Sequence, residues 1–147
     1  MSAETKSYLR KDGVLLGVLS ALLLISVYTI SNRPSYATQK LAHARVSIAG
    51  HEFFAELANT PALRLQGLSG RNGVGEKEGM LFVFDTKENH AFWMKDMNFP
   101  IDIVWIQGNR VIGFAEDMRP EPGVPTARLR IYSPPEPIDR VLEIRAG

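Results

Sequence analysis

The stretch Gly79–Ile106, GMLFVFDTKENHAFWMKDMNFPIDIVWI, constrains the fold more than any other part of the chain. It holds three short apolar runs, Gly79–Phe84, His90–Met94 and Ile101–Ile106, broken by polar turn residues. Runs of that length bounded by turn signals are strands rather than helices. Gly79–Phe84 has no polar side chain and so reads as a strand covered on both faces. Ile101–Ile106 puts Ile101, Ile103 and Trp105 on one face and Asp102, Val104 and Ile106 on the other. A carboxylate embedded in such a strand needs a charged partner or several hydrogen bonds, because desolvating it alone costs several kcal/mol. Pairing of His90–Met94 with Ile101–Ile106 would set Trp93 opposite Asp102 and Lys95 on the diagonal, within reach of a long side chain. A Lys95–Asp102 pair is therefore expected, either at a pocket mouth or as a bridge that fixes the loop.

The rest of the chain fits strands around one short helix. Ala44–Ala58 alternates as a hairpin turning at Gly50-His51. Thr60 followed by Pro61 is a helix start, Leu63, Leu65 and Leu68 form its apolar side, and Gly67 and Gly70 end it early. Asp85–Asn89 reads as a turn. Ile101–Ile106 and Arg110–Ala115 form a second hairpin about Gly108-Asn109, and Arg128–Ser133 and Asp139–Arg145 are further strands. The proline-rich pieces at Arg119–Pro125 and Pro134–Pro137 are surface loops, since proline cannot donate to a central ladder. The expected fold is mainly β: a small antiparallel barrel or sandwich with one short helix, preceded by an N-terminal transmembrane or signal helix.

That helix is Val14–Ile30, 17 residues without a charge. At about 1.5 Å per residue it spans roughly 26 Å, near the ~30 Å of a bilayer core. Lys6, Arg10 and Lys11 precede it and Arg33 follows, which directs the N-terminus to the cytoplasm and the C-terminal domain outside the cell membrane. A single-pass anchor and a signal peptide cleaved near Ala37, releasing a secreted or periplasmic domain, are the two readings. The expected organisation is a cytoplasmic N-terminus over 1–13, the anchor or signal core over 14–30, a linker over 31–43 and an extracytoplasmic β domain over 44–147.

Charge and composition narrow the function classes. Residues 1–40 carry five basic and two acidic residues, and residues 41–147 carry twelve basic and fourteen acidic ones. A slightly acidic domain without a basic run does not suit nucleic acid. The chain has no cysteine, which removes disulfides, thiolate nucleophiles and cysteine zinc sites. His43, His51 and His90 lack ligand spacing, and Ser47, Ser69 and Ser133 lack a nearby histidine–carboxylate arrangement. The glycines of RNGVGEKEG lack the context of a phosphate loop. Met80, Met94, Met97 and Met118 suit core positions better than a copper site. No metal and no cofactor is expected, and no catalytic residue is assigned. Trp93, Lys95 and Trp105 are either pocket walls or core. Arg64 either pairs with Glu143 or Asp102 or lies on a solvated helix face.

In order along the chain, T-P-x-x-R-x-x-G-L at Thr60–Leu68, Arg71, G-M-L-F-V-F at Gly79–Phe84, F-W-M-K at Phe92–Lys95, P-x-D-I at Pro100–Ile103 and V-L-E-x-x-A-G at Val141–Gly147 resemble the bacterial and archaeal family called domain of unknown function 192. The resemblance covers roughly Val46 to Gly147. It implies a compact, mainly β domain, often behind an export signal or anchor, and no established activity. Its motif residues match at Arg64, Gly67, Gly79, Trp93, Lys95, Asp102 and Glu143. The chain departs where the family usually has Asn-Thr after the lysine and here has Asp96-Met97. Ala62 and Leu63 replace acidic residues common before the arginine, and relatives often continue past Gly147 to a further strand.

The expectation is an exported, membrane-tethered β domain that serves as a binding or interaction module. Its partner would be a small polar ligand or an envelope protein, met by ligand-binding candidates Arg64, Trp93, Lys95, Asp102 and Glu143. The alternatives are an envelope hydrolase using paired carboxylates such as Asp96 and Asp102, and a structural accessory of a membrane complex.

Overall fold

A computed structural model describes residues 41–147. The expected cytoplasmic segment, the Val14–Ile30 helix and the cleavage point near Ala37 lie outside these residues. Among the described residues no helix is long and apolar enough to cross a membrane.

Six strands and one helix make up the domain: β1 (His43–Ile48), β2 (His51–Ala58), α1 (Pro61–Gln66), β3 (Glu78–Glu88), β4 (Ile101–Gln107), β5 (Arg110–Met118) and β6 (Ile138–Arg145). A single 3-10 turn covers Thr126–Arg128. The strands form one sheet in the order β1-β2-β3-β6-β4-β5. The mainly β reading holds, but neither the antiparallel barrel nor the two-sheet sandwich forms. β2 and β3 run parallel, so the sheet is mixed, and β1 and β5 are its two unpaired edges, so it is not closed. The parallel pair follows from α1: a crossover is the connection that brings the next strand back in the same direction, and Thr60-Pro61 starts a helix there instead of a hairpin turn. The sheet is nonetheless curved enough that Val46 and Ile48 of β1 and Val111 of β5 line one cavity.

Both expected hairpins form, β1–β2 and β4–β5. Three local expectations fail. β3 runs on through Asp85–Glu88 as an exposed extension where a turn was read. His90–Met94 is not a strand, and only Phe92 makes a bridge, to Tyr132. Arg128–Ser133 is likewise reduced to that bridge and the 3-10 turn. β6 pairs with both β3 and β4 and so fills the edge of β4 that His90–Met94 would have needed.

β6 is therefore central, and the sheet has an apolar cluster on each face. One cluster gathers Leu68, Met80, Phe82, Met94, Ile101, Ile103, Trp105 and Val141 beneath α1 and the 89–100 loop. The other gathers Ala55, Leu81, Val104, Ile106 and Leu142. Directly paired residues share a face, so Glu56, Met80, Glu143, Ile103 and Ala115 form one row across five strands, on the helix side. Two of the five are acids, and that row leads to the site.

Candidate functional site

The site is a cavity of about 350 Å³ between α1, the end of β3, the 90–97 loop and β6. Its roof is built by local chain chemistry. Thr60 Oγ1 accepts from the Leu63 amide at 3.3 Å, and Pro61 occupies the first turn, where a missing amide hydrogen costs nothing. Gly67 ends the helix with φ 51°, and a Cβ there would meet the Phe82 ring at 3.3 Å. The helix can therefore stop close over the aromatic floor.

From this helix Arg64 reaches across to β3. It donates to the Val83 carbonyl at 2.7 Å and lies 5.1 Å from the centroid of the Phe84 ring. The imidazole of His90 also stacks on Phe84, at 3.5 Å. Phe92 packs edge-on to Phe82, Phe84 and Trp105 at 5.1, 6.4 and 5.6 Å. Trp93 stands at the mouth, 41% exposed. The loop that carries these rings is tied to the turn after α1: Ser69 Oγ donates to the Lys95 carbonyl and the Gly70 amide to the Asp96 carbonyl, each at 2.8 Å.

Glu143 lies at the inner end. It is only 5% exposed, the one buried polar residue among the described core, and it lines the cavity. Gly79 helps to set its place, since a Cβ at Gly79 would come within 2.5 Å of the Glu143 carbonyl oxygen. No described residue makes a hydrogen bond to its carboxyl group. Burial in apolar surroundings pushes its pKa up to about 8, against the weaker opposing field of Arg71. At neutral pH the group is therefore mainly the uncharged acid, able to donate and to accept.

The five candidates of the sequence reading divide three ways. Arg64, Trp93 and Glu143 come together in this cavity. Arg64 makes no ion pair with Glu143 or Asp102 and instead serves Val83 and Phe84, because α1 lies above β3. Lys95 lies in a different hollow with Asp96, to which its Nζ is bonded at 2.6 Å. The expected Lys95–Asp102 pair does not form. Asp102 faces Ile144 on β6, not Trp93. Its Oδ1 accepts from the Asp117 amide at 2.7 Å and its Oδ2 from the Gly147 amide at 3.2 Å, so backbone amides supply the partners that lysine was expected to supply. Asp96 and Asp102 line separate cavities and share no cleft.

The remaining residues fall into place as structure. Met80, Met94 and Met118 are core side chains and Met97 packs against the same core. No group of three or more His, Asp or Glu able to hold a metal occurs among the described residues. Sequence reasoning missed Phe82, Phe84, His90 and Phe92 as cavity walls. The alternation of aromatic residues at Phe82 and Phe84 was a usable signal, hidden because the whole run is apolar.

The family model for domain of unknown function 192, described as Uncharacterized ACR, matches residues 44–147. Among solved structures, a protein from Sinorhizobium meliloti 1021 described as a candidate transcription regulator is similar, at 29% identity and TM-score 0.65 over 76% of this chain and 86% of that one. A protein of unknown function from Novosphingobium aromaticivorans DSM 12444 is 27% identical, with TM-score 0.59 over 79% of this chain and 89% of that one. No curated protein matches the chain.

Proposed function

The chain belongs to the domain of unknown function 192 family, and from its site we propose that the domain is a binding module for a small ligand held between α1 and the β3–β6 ladder. One observation carries this reading: Glu143, a residue only 5% exposed, lines an open cavity with no described hydrogen bond to its carboxyl group. A carboxyl group at the inner end of a concave, aromatic-walled cavity of about 350 Å³ fits a site that is completed by a ligand.

In this reading Val14–Ile30 tethers the module to the cell membrane, with the domain outside the cytoplasm. The apolar length and the basic flank support the tether, and protease accessibility of the domain on intact spheroplasts tests it. The regulator description of the S. meliloti relative is not extended to this chain, whose residues 41–147 carry fourteen acidic against twelve basic side chains. Nor does the geometry favour a paired-carboxylate hydrolase, since Asp96 and Asp102 line different cavities.

The test is a fragment screen by ligand-observed NMR on the full-length chain. Ala91 lines the cavity on an exposed loop position, so A91W fills the mouth without entering the core. Fragments bound by the native chain and lost with A91W support the reading. Fragments bound equally by both chains, or none bound by either, overturn it.

A further inference from the structure

We infer that the ligand is an uncharged molecule that presents an amide-like edge, a carbonyl beside an N–H, to Glu143 while its apolar body lies against Phe92 and Trp93. This deepens the binding-module reading and rests on it.

The inference comes from which charges are already committed. The titratable and charged groups on the elements around Glu143 are Arg64 on α1, Arg71 after it, Glu56 on β2 and His90 after β3. Arg64 is held by the Val83 carbonyl and the Phe84 ring. Arg71 is held by both oxygens of Glu56. Arg71 is thereby spent, whereas Arg64 keeps unbonded N–H groups at the wall, so an anion held there instead of at Glu143 is the outcome that the benzoate titration detects. The field of Arg71 reaches Glu143, and the charge of Arg64 lies at the cavity wall. An entering ammonium would meet the charge of Arg64 at the wall and would have to displace the proton that burial favours on Glu143, which adds to its cost. An entering carboxylate would be desolvated against an acid and aromatic rings.

An amide edge meets neither penalty. A protonated carboxyl offers one O–H donor and one carbonyl acceptor side by side, the complement of a carbonyl and an N–H on a planar ligand. The rest of the lining, Phe82, Phe92, Trp93 and Met97, offers apolar surface to a flat body.

Three molecules of nearly one shape separate the cases: benzamide, benzylammonium and benzoate. Each is titrated against the full-length chain at about pH 7 by ligand-observed NMR, with the A91W chain as blank. Benzamide is expected to bind at least ~10-fold tighter than either ion, and E143L to weaken it by about 10-fold, the loss that follows removal of one buried hydrogen-bonding partner. Glu143→Gln keeps a donor and an acceptor and should retain benzamide. Raising the pH to about 9 should weaken benzamide for the native chain, as Glu143 loses its proton, and leave E143Q unchanged; this comparison decides even if E143L fails to fold. Preference for benzylammonium or benzoate, affinity that rises with pH, or benzamide held equally by E143L overturns the inference and leaves the cavity as a binding site. Failure of all three to bind above the A91W blank overturns the inference, and if no fragment is lost on A91W either, the binding-module reading falls with it.

Discussion

The guanidinium of Arg71 donates to both carboxylate oxygens of Glu56, at 2.5 and 2.6 Å. Glu143 is two strands along the same row and receives only the field of that guanidinium, not its hydrogens. The two acids consequently move in opposite directions. The bond to Arg71 holds Glu56 below the usual carboxylate range, and burial lifts Glu143 above it. One cation thus fixes the charged state of its own partner, while burial keeps the neighbouring acid mainly uncharged against that cation's field.

Removing that cation should be costly but not ruinous. Arg71 and Glu56 side chains are 33% and 25% exposed, so solvent screens the pair in part. R71M should lower stability by about 1–2 kcal/mol, less than the loss of a fully buried bidentate pair. Glu56 has a folded pKa below its unfolded one, so its contribution is present above about 4.5 and is lost as pH falls through the folded value. A double-mutant cycle of R71M and E56Q by urea denaturation at neutral pH measures the coupling, and additive losses would show that the pair contributes nothing.

Glu143 should give the opposite pH dependence. Its folded pKa, about 8, lies above the unfolded value of 4.5. The folded state keeps a proton that the unfolded state has released, so stability falls as pH rises between those values and levels off above about 8. The slope for one such group is on the order of 1 kcal/mol per pH unit. E143Q has nothing to titrate. The difference in unfolding free energy between native and E143Q chains should therefore decline steadily from about pH 5 to about pH 8, and a flat difference would mean that Glu143 is ionised in the fold.

How much of this was legible in the sequence depended on the range of the interaction. Thr60-Pro61 and Gly67 specified α1, because capping and helix termination are settled by neighbours in the chain. The alternation of Ile101, Ile103 and Trp105 against Val104 and Ile106 was correct, because a two-residue period does not depend on which strand pairs. Pairing was not legible. β6 enters from the C-terminus between β3 and β4, and no local signal distinguishes that from a hairpin of His90–Met94 with β4. The mispairing carried the Lys95–Asp102 error with it. Arg64, Trp93 and Glu143 could be picked out as motif residues, but their meeting in one cavity depends on the crossover and on that C-terminal strand.

Asp102 is a structural carboxylate in this geometry. It holds the Asp117 amide, where the chain takes φ 49° beside an irregularity in the β4–β5 register, and the Gly147 amide. D102A should cost about 1 kcal/mol for these partly exposed bonds. D102N should cost less, since its carbonyl oxygen can still accept from Asp117 while its amide nitrogen cannot accept from Gly147. Neither should change fragment binding in the Glu143 cavity, which Asp102 does not line. Thermal melting beside the fragment assay checks both, and loss of binding without loss of stability would return Asp102 to the site.

Asp96 separates backbone conformation from charge. It sits at φ 54°, a region that Asn and Asp tolerate better than other side chains apart from glycine. Asn is the residue the family pattern carries there, so the departure noted in the sequence preserves the backbone requirement. The carboxylate also meets Lys95 at 2.6 Å, but the two side chains are 66% and 42% exposed, and such pairs contribute little. D96N, which keeps the conformation and gives up the charge, should be neutral within about 0.5 kcal/mol. D96A, which gives up both, should cost about 1 kcal/mol as the turn resists the left-handed region. D96G should recover part of that loss by relieving the strain, less the entropy of a more flexible unfolded chain. Urea denaturation of the three variants decides the matter: if D96N loses as much as D96A, the Lys95 ion pair and not the backbone fastens this turn.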